Sequence, residues 1–210
     1  MVLLGIESRS IVRRGRIPMD GPDMWTGGTL FPLSAKKVAR AINSASNNRP
    51  VVVLANLSGF DGSPESLRKL QLEYGAEIAR AVVNFQGPIV FVVIGRYHGG
   101  AYVVFSKALN KDLHAIAVEG AFASVIGGAP AAAVVFSREV SGRMQNDSRI
   151  RTLQEKILQM DAERRVPLSR DLKRLQEEIL LEQRGQVAQE FDSIHTVERA
   201  IQQGSLDGIV

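Results

Sequence analysis

Apolar residues in the first two thirds of the chain alternate between short continuous runs and sets spaced like one face of a helix. Continuous runs lie at residues 51–55 and 89–94, and such runs are typical of strands buried on both faces of a sheet. Residues 113–118, apolar except for His114, predict a third strand. Between the first two runs, apolar spacing predicts one amphipathic helix with the stripe Leu67, Leu70, Tyr74, Ile78, Val82 and Phe85. Because strands and helices alternate, the sequence predicts an α/β fold with a largely parallel sheet.

Capping and turn residues indicate where these elements begin and end. Ser34 is expected to cap a helix through residues 38–42, and Ser63 is expected to cap the long helix, which Gly87 and Pro88 would end. Residues 1–33 carry many turn residues, so we expect this segment to wrap around the surface.

The chain changes character after residue 140. Residues 141–190 hold 10 Lys or Arg and 9 Asp or Glu, with apolar residues at coiled-coil-like spacing on either side of Val166 and Pro167. This pattern predicts an antiparallel helical hairpin that the proline breaks, with the apolar positions Ile150, Leu153, Ile157, Met160, Leu168, Leu172, Leu175 and Ile179. We therefore expect three segments, a core at 1–140, a hairpin at 141–190 and a return segment at 191–210.

Composition narrows the possible functions. The 210 residues are 45% hydrophobic and 23% charged, with a net charge of +4, 6% aromatic residues and no cysteine. The chain has no basic motif with interleaved aromatic residues and no apolar run near the roughly 18 residues of a membrane helix. We expect a cytoplasmic protein that binds neither nucleic acid nor a membrane. His98, His114 and His195 lack metal-ligand spacing, so no metal site is expected.

Two glycine runs are the clearest candidates for chemistry. Gly99-Gly100-Ala101 follows the second predicted strand, and Gly127-Gly128-Ala129 follows about one strand-and-helix (βα) unit later. At a strand-to-helix turn, the first helical N–H groups have no intrahelical partner and can stabilise an oxyanion. Alternatively, the glycines only permit a tight turn packed on the sheet. His98, beside the first run, is a candidate polar lining residue or acid–base group, and the alternative is that it only hydrogen-bonds the turn.

Ordered motifs over more than a hundred residues resemble one enzyme family. Leu30-Phe31-Pro32 with Ser34-Ala35-Lys36-Lys37, the segment Ala55-Asn56-Leu57-Ser58-Gly59-Phe60, and the segment Tyr97-His98-Gly99-Gly100-Ala101-Tyr102-Val103-Val104 are similar to the carboxyltransferase component of biotin-dependent acyl-CoA carboxylases. The similarity covers residues 27–136 and resumes at 191–200, around His195 and Glu198. It lies in the carboxyl-terminal half of that component.

This resemblance implies a crotonase-like (ClpP/crotonase) spiral of ββα units, with the charged hairpin after the core. It implies transfer of CO2 from carboxybiotin to the α-carbon of an acyl-CoA, with biotin on a separate carrier domain and no metal in this chain. The implied partners are the carrier domain, the acyl-CoA-binding amino-terminal half and further copies in a homo-oligomer. This chain would be a fragment or a subunit that is inactive alone.

The resemblance also assigns residues. The backbone N–H groups of Gly100 and Ala101 would form an oxyanion hole for the biotin ureido oxygen, and biotin itself would remove the α-proton, so no side-chain base is implied. The other residues implied to bind biotin or substrate are Gly59, Phe60, His98, Gly99, Tyr102, Val103, Gly127, Gly128 and Ala129. Some relatives have an acidic residue where this chain has Val103, which leaves the acyl chain open.

Two other hypotheses stay open. A crotonase-like hydratase or isomerase would need a carboxylate base, for which Glu119 and Asp61 are the candidates. A non-catalytic assembly module would use the hairpin as its docking surface, in which case Leu172 and Ile179 would contact the partner.

Overall fold

The computed structural model describes the backbone of residues 1–210 and the side chains of residues 1–161 and 165–210. The strands are β1 (Val2–Gly5), β2 (Ile11–Val12), β3 (Met24–Trp25), β4 (Thr29–Leu30), β5 (Val51–Leu57), β6 (Gly59–Phe60), β7 (Ile89–His98), β8 (Leu113–Ala117), β9 (Phe122–Ser124) and β10 (Gly208–Ile209). The helices are α1 (Pro32–Ala45), α2 (Pro64–Arg68), α3 (Gln71–Asn84), α4 (Gly100–Val104), α5 (Gly128–Pro130), α6 (Ser137–Gln145), α7 (Ser148–Leu158), α8 (Ala162–Ile194) and α9 (Val197–Gln202). Two compact units result, one of Met1–Val125 with His195–Val210 and one of Ile126–Ile194.

A parallel sheet forms the centre of the first unit. Its strand order is β1, β5, β7, β8 and β10, and β9 pairs with the end of β7. Each of these pairings is parallel, with Val51 beside Ile89 and Ile89 beside Leu113. The three predicted strands are thus the neighbouring strands β5, β7 and β8, and the predicted α/β fold with a parallel sheet is confirmed.

The core of the first unit lies between this sheet and the helices α1 and α3. Alternate residues of β5 are fully buried, and they share one apolar cluster with buried residues of both helices, including Ile42, Ile78 and Val82. The residues between them in β5 are half-buried. The sequence predicted a strand buried on both faces, whereas in the structure one face is fully buried and the other only half-buried.

The predicted long helix is two helices. The backbone of Leu70 is left-handed, with φ +65°, and separates α2 from α3. This reversal changes which face is buried, so Leu67 and Leu70 are 47% and 46% exposed while Gln71 is 1% exposed. The buried stripe of α3 starts at Gln71 and continues through Gly75, Ile78 and Val82.

Several other boundaries differ from the prediction. Residues 1–33 include β1, an edge strand of the main sheet, so they do not only wrap the surface. Helix α1 starts at Pro32, and Ser34 accepts a 2.7 Å hydrogen bond from the Phe31 N–H within its first turn. Ser63 caps α2 as predicted, by accepting from the Ser66 N–H.

The second unit contains α5 to α8 and begins at Ile126, earlier than the expected boundary after residue 140. Its start lies earlier because Gly128 and Ala132 pack against residues of α8, and Ala132 shares a cluster with Val140 and Val187. Arg143 forms ion pairs with Glu139 and Glu190, each at 2.7 Å. Some of the charged residues of the predicted hairpin therefore form ion pairs within the second unit.

The helices of the hairpin are not separated at Pro167. The break lies between Leu158 and Ala162, where the Arg165 Nε donates a 2.7 Å hydrogen bond to the Met160 carbonyl. Pro167 is the sixth residue of α8 and lies within the second turn of this helix, which continues past it to Ile194. Over the described residues, the helices are too short or too polar to cross a membrane.

Candidate functional site

The turn between β7 and α4 requires the glycine at position 99. Gly99 has φ +63° and ψ −143°, a conformation that side-chain-bearing residues rarely adopt. A Cβ added there would lie 3.1 Å from the Gly59 Cα and 3.2 Å from the Ser58 carbonyl oxygen. The Gly99 N–H donates to the Val125 carbonyl at 3.0 Å, so the turn is fixed against two neighbouring segments.

The next glycine makes room for an aromatic ring. A Cβ added at Gly100 would lie 2.5 Å from Cε2 of Phe60, well inside contact distance. Phe60 in turn belongs to β6, which pairs with β4 and places Phe60 beside Leu30. Close packing of the turn, one of the two readings left open by the sequence, is therefore present.

The same turn also presents two backbone donors. Among the described residues, no acceptor contacts the N–H groups of Gly100 and Ala101, whereas the Tyr102 N–H donates to the Gly99 carbonyl at 3.0 Å. These two N–H groups are adjacent at the start of α4, where the helix offers them no partner. Two neighbouring fixed donors suit an oxygen that carries or develops negative charge.

His98 anchors the end of β7 to β9. Its side chain is buried, and its Nδ1 lies 3.1 Å from Ser124 Oγ and 3.3 Å from the Ser124 carbonyl oxygen. The parallel pairing of His98 with Ser124 holds the same two residues together through the backbone. His98 is thus placed where hydrogen bonding supports the turn.

The two residues after Ala101 face different surroundings. The Tyr102 hydroxyl lies 2.6 Å from Ser205 Oγ, which joins α4 to the segment before β10. Its ring centroid is 4.9 Å from that of Tyr97, whose pKa burial raises. Val103 is 58% exposed, so its side chain can contact a bound molecule.

The second glycine run lies in the other compact unit. The Gly128 N–H donates to Asp192 Oδ1 at 2.8 Å, and a Cβ at Gly128 would overlap the Ala188 carbonyl of α8. Gly127 precedes α5, and Ala129 is exposed. The structure thus brings together Gly59, Phe60, Gly99, Gly100 and Ala101, and it gives Gly128 a packing role.

An apolar cavity of about 910 Å³ lies in the first unit, and the sequence did not indicate it. Its walls come from segments distant in the chain and include Leu3, Ile11, Trp25, Leu30, Phe31 and Leu70. Because Leu30 pairs with Phe60, one wall of the cavity is joined through β4 and β6 to the Gly100 turn.

A buried ion pair joins the β2–β3 segment to α2 beside this cavity. Arg13 Nη1 lies 2.6 Å from Glu65 Oε2, and the guanidinium lies 4.4 Å from the centroid of the Trp25 ring. Hydrogen bonds from Arg13 and Lys69 lower the pKa of Glu65 to about 2. Within the described part of the chain, no group of three or more His, Cys, Asp or Glu could hold a metal ion.

Comparison with known proteins identifies the family to which this chain belongs. The family model described as "Carboxyl transferase domain" matches residues 11–208, so the chain belongs to the carboxyl transferase domain family. This is an enzyme family, and the resemblance seen in the sequence is confirmed.

Particular relatives agree with this assignment. Acetyl-CoA carboxylase of Saccharomyces cerevisiae (strain ATCC 204508 / S288c) is 32% identical over 122 residues, which cover 52% of this chain and 5% of the relative. Acetyl-CoA carboxylase of Schizosaccharomyces pombe (strain 972 / ATCC 24843) is 32% identical over 123 residues, with the same coverages. The chain therefore spans about a twentieth of the length of these curated relatives.

Solved structures show the fold. The beta subunit of Pseudomonas aeruginosa geranyl-CoA carboxylase superposes with a TM-score of 0.58 and 23% identity, over 89% of this chain and 30% of that chain. Transcarboxylase 12S superposes with a TM-score of 0.57 and 20% identity, over 87% of this chain and 28% of that chain. The predicted crotonase-like α/β fold is confirmed.

Proposed function

We propose that this chain is the biotin-side half of an acyl-CoA carboxylase carboxyltransferase, which transfers CO2 from carboxybiotin to the α-carbon of an acyl-CoA. Membership of the carboxyl transferase family supports this reaction class. One observation on the chain itself carries the assignment of the site. The adjacent N–H groups of Gly100 and Ala101 have no acceptor among the described residues, at a turn held on both sides.

The donor set fits the group that the family implies. Two N–H groups on one turn match a single carbonyl oxygen such as that of a ureido group, and they need no metal ion or side-chain base nearby. Biotin, when bound, would supply the carboxyl group that is transferred. Gly100 and Ala101 would donate to its ureido oxygen, and exposed Val103 would contact it beside α4.

The surroundings of the turn explain how the donors stay in place. His98 is fixed through Ser124 and Gly99 is fixed through Val125, so the two residues that precede the donors are tied to β9 and to the residue after it. Donors fixed before the reaction need no reorganisation as charge develops, and each is typically worth about 3–4 kcal/mol. We assign this stabilisation of the developing charge to the N–H groups of Gly100 and Ala101.

The proposal requires partners. We propose an amino-terminal half that holds the acyl-CoA, a separate domain that carries biotin, and assembly into a homo-oligomer. The small share of the solved relatives that this chain covers supports a site completed by other segments. The cytoplasmic location stays a prediction, and we further propose a role in fatty acid metabolism.

The two alternative hypotheses gain no support from their candidate residues. Glu119 is exposed in the turn after β8, and Asp61 accepts a hydrogen bond from the Ser63 hydroxyl at the cap of α2. Of the two residues expected to contact a partner in an assembly module, Ile179 is fully buried within the second unit and Leu172 is half-buried.

The test measures malonyl-CoA-dependent carboxylation of free biocytin by this chain mixed with its separately expressed amino-terminal half. We would replace Ala101 with lactic acid by nonsense suppression, which exchanges its N–H for an ester oxygen and keeps its methyl group. Loss of one such donor should lower kcat by about 10²–10³-fold.

The matched control is the corresponding ester at Leu72. Leu72 is likewise the second residue of its helix, it is 68% exposed, and its N–H has no acceptor among the described residues. This change should leave kcat unaltered. No turnover by two folded, associated wild-type halves would refute the proposed reaction. Turnover that tolerates the ester at Ala101 would refute the oxyanion hole alone.

A further inference from the structure

The ring of Phe60 is wedged between two helices, and glycines make room for it on both sides. A Cβ added at Gly75 in α3 would lie 2.8 Å from Cε2 and 3.3 Å from Cδ2 of Phe60. A Cβ added at Gly100 in α4 would lie 2.5 Å from the same Cε2 atom. Since ordinary carbon contacts are about 3.5–4.0 Å, the same edge of the ring leaves no room for a methyl group at either glycine.

The backbone of Phe60 gives the ring little freedom to retreat. Strand β6 pairs with β4, and the Asp61 N–H donates to the Leu30 carbonyl at 3.0 Å. Gly59 also packs directly against Gly99, as the 3.1 Å distance from an added Cβ at Gly99 to the Gly59 Cα shows. A side chain added in α3 would therefore displace the ring towards the turn that begins α4.

We propose that Gly75 and Phe60 are positioning residues for the backbone donors of Gly100 and Ala101. The ring of Phe60 sets the position of the Gly100 backbone, and the missing side chain of Gly75 sets the position of the ring. This inference rests on the proposed function for its catalytic consequence, but the packing relay itself is a property of the chain.

The relay explains a glycine that local structure disfavours. Gly75 lies inside the 14-residue helix α3, where alanine would be the better helix former. It is buried, and the space of its side chain is filled by Phe60. A methyl group at this position must move the ring by several tenths of an ångström, and misplacement of about 1 Å can cost 10²-fold in rate.

The experiment combines NMR of the chain with kinetics of the assembled halves. In a glycine-selective 15N spectrum, Gly75→Ala should shift the Gly100 amide resonance. In the biocytin assay, the same variant should lower kcat by about 10–100-fold and leave the KM for malonyl-CoA within twofold. Adding Phe60→Leu to Gly75→Ala removes ring volume and should restore at least part of the lost kcat.

The control is Gly185→Ala in α8, where an added Cβ meets nothing within 4 Å. It should leave both the Gly100 resonance and kcat unchanged. If Gly75→Ala does not fold, Phe60→Leu alone removes the wedge and should shift the same resonance.

The outcomes separate the inference from the proposed function. An unmoved Gly100 resonance in a folded variant would overturn the relay, whatever the activity. A moved resonance with unchanged kcat would overturn the positioning role. Absence of turnover in the wild-type pair concerns the proposed function, and the spectrum would still decide whether the relay exists.

Discussion

Replacing Gln71 with methionine should stabilise the first unit. The side chain of Gln71 is 1% exposed, and neither its Nε2 nor its Oε1 has a hydrogen-bond partner among the described residues. A polar group buried without a partner costs about 1–3 kcal/mol, which replacement by an apolar group of similar shape recovers. Methionine is unbranched like glutamine and has similar helix propensity, so the packing of α3 should change little.

The expected gain is about 2 kcal/mol, which corresponds to a rise in Tm of roughly 4–8 °C for a chain of this size. The assay is urea unfolding followed by far-UV circular dichroism, with a thermal scan on the same samples. Gln154→Met in α7 is the control, because Gln154 is exposed and the substitution should change stability by less than about 0.5 kcal/mol. A Gln71→Met chain no more stable than wild type would show that the amide is hydrogen-bonded in solution and refute the reasoning.

Two further predictions concern charge and burial. The pKa of Glu65 is lowered from 4.5 to about 2 by Arg13 and Lys69, so its stabilising contribution is present above about pH 4.5 and is lost as the pH falls towards 2. Glu65→Gln should therefore lower stability at pH 7 and reduce the pH dependence of the urea unfolding midpoint between pH 4.5 and 2. The control Glu73→Gln, at an exposed position, should change neither quantity. Ile179→Lys should unfold the second unit, at a cost of about 3 kcal/mol or more, whereas Leu181→Lys, at a 72% exposed position, should not. A folded Ile179→Lys chain, judged by circular dichroism, would return the hairpin-docking hypothesis to consideration.

The regular elements could be predicted because their signals are local. Apolar runs gave β5, β7 and β8, and their alternation with helices gave the parallel sheet. The division between α2 and α3 could not be predicted in the same way. Leu70 adopts a left-handed backbone without being glycine or asparagine, and Leu67 and Leu70 continue the apolar spacing of a single helix. Only tertiary packing, which buries Gln71 instead, decides where the stripe starts.

The contacts of the candidate site are also long-range. Phe60, Gly75 and Gly100 meet although the sequence separates them, and the cavity wall collects residues from positions 3 to 74. The resemblance named Phe60 and Gly100 as site residues but did not identify Gly75. The available signal was a glycine on the apolar face of an amphipathic helix. The role of Gly75 depends on which side chain occupies the space beside it, and this cannot be deduced from the sequence.

The two glycine runs show most directly why a backbone site is hard to predict. Both have the local pattern of two glycines and an alanine at the start of a helix. At Gly128 the N–H is occupied by Asp192, a residue 64 positions further along the chain. At Gly100 and Ala101 no described residue accepts, although the glycines themselves are needed for packing. The glycines of both runs are therefore needed for close packing. A candidate oxyanion hole differs from a packed turn in that no distant side chain accepts hydrogen bonds from its N–H groups.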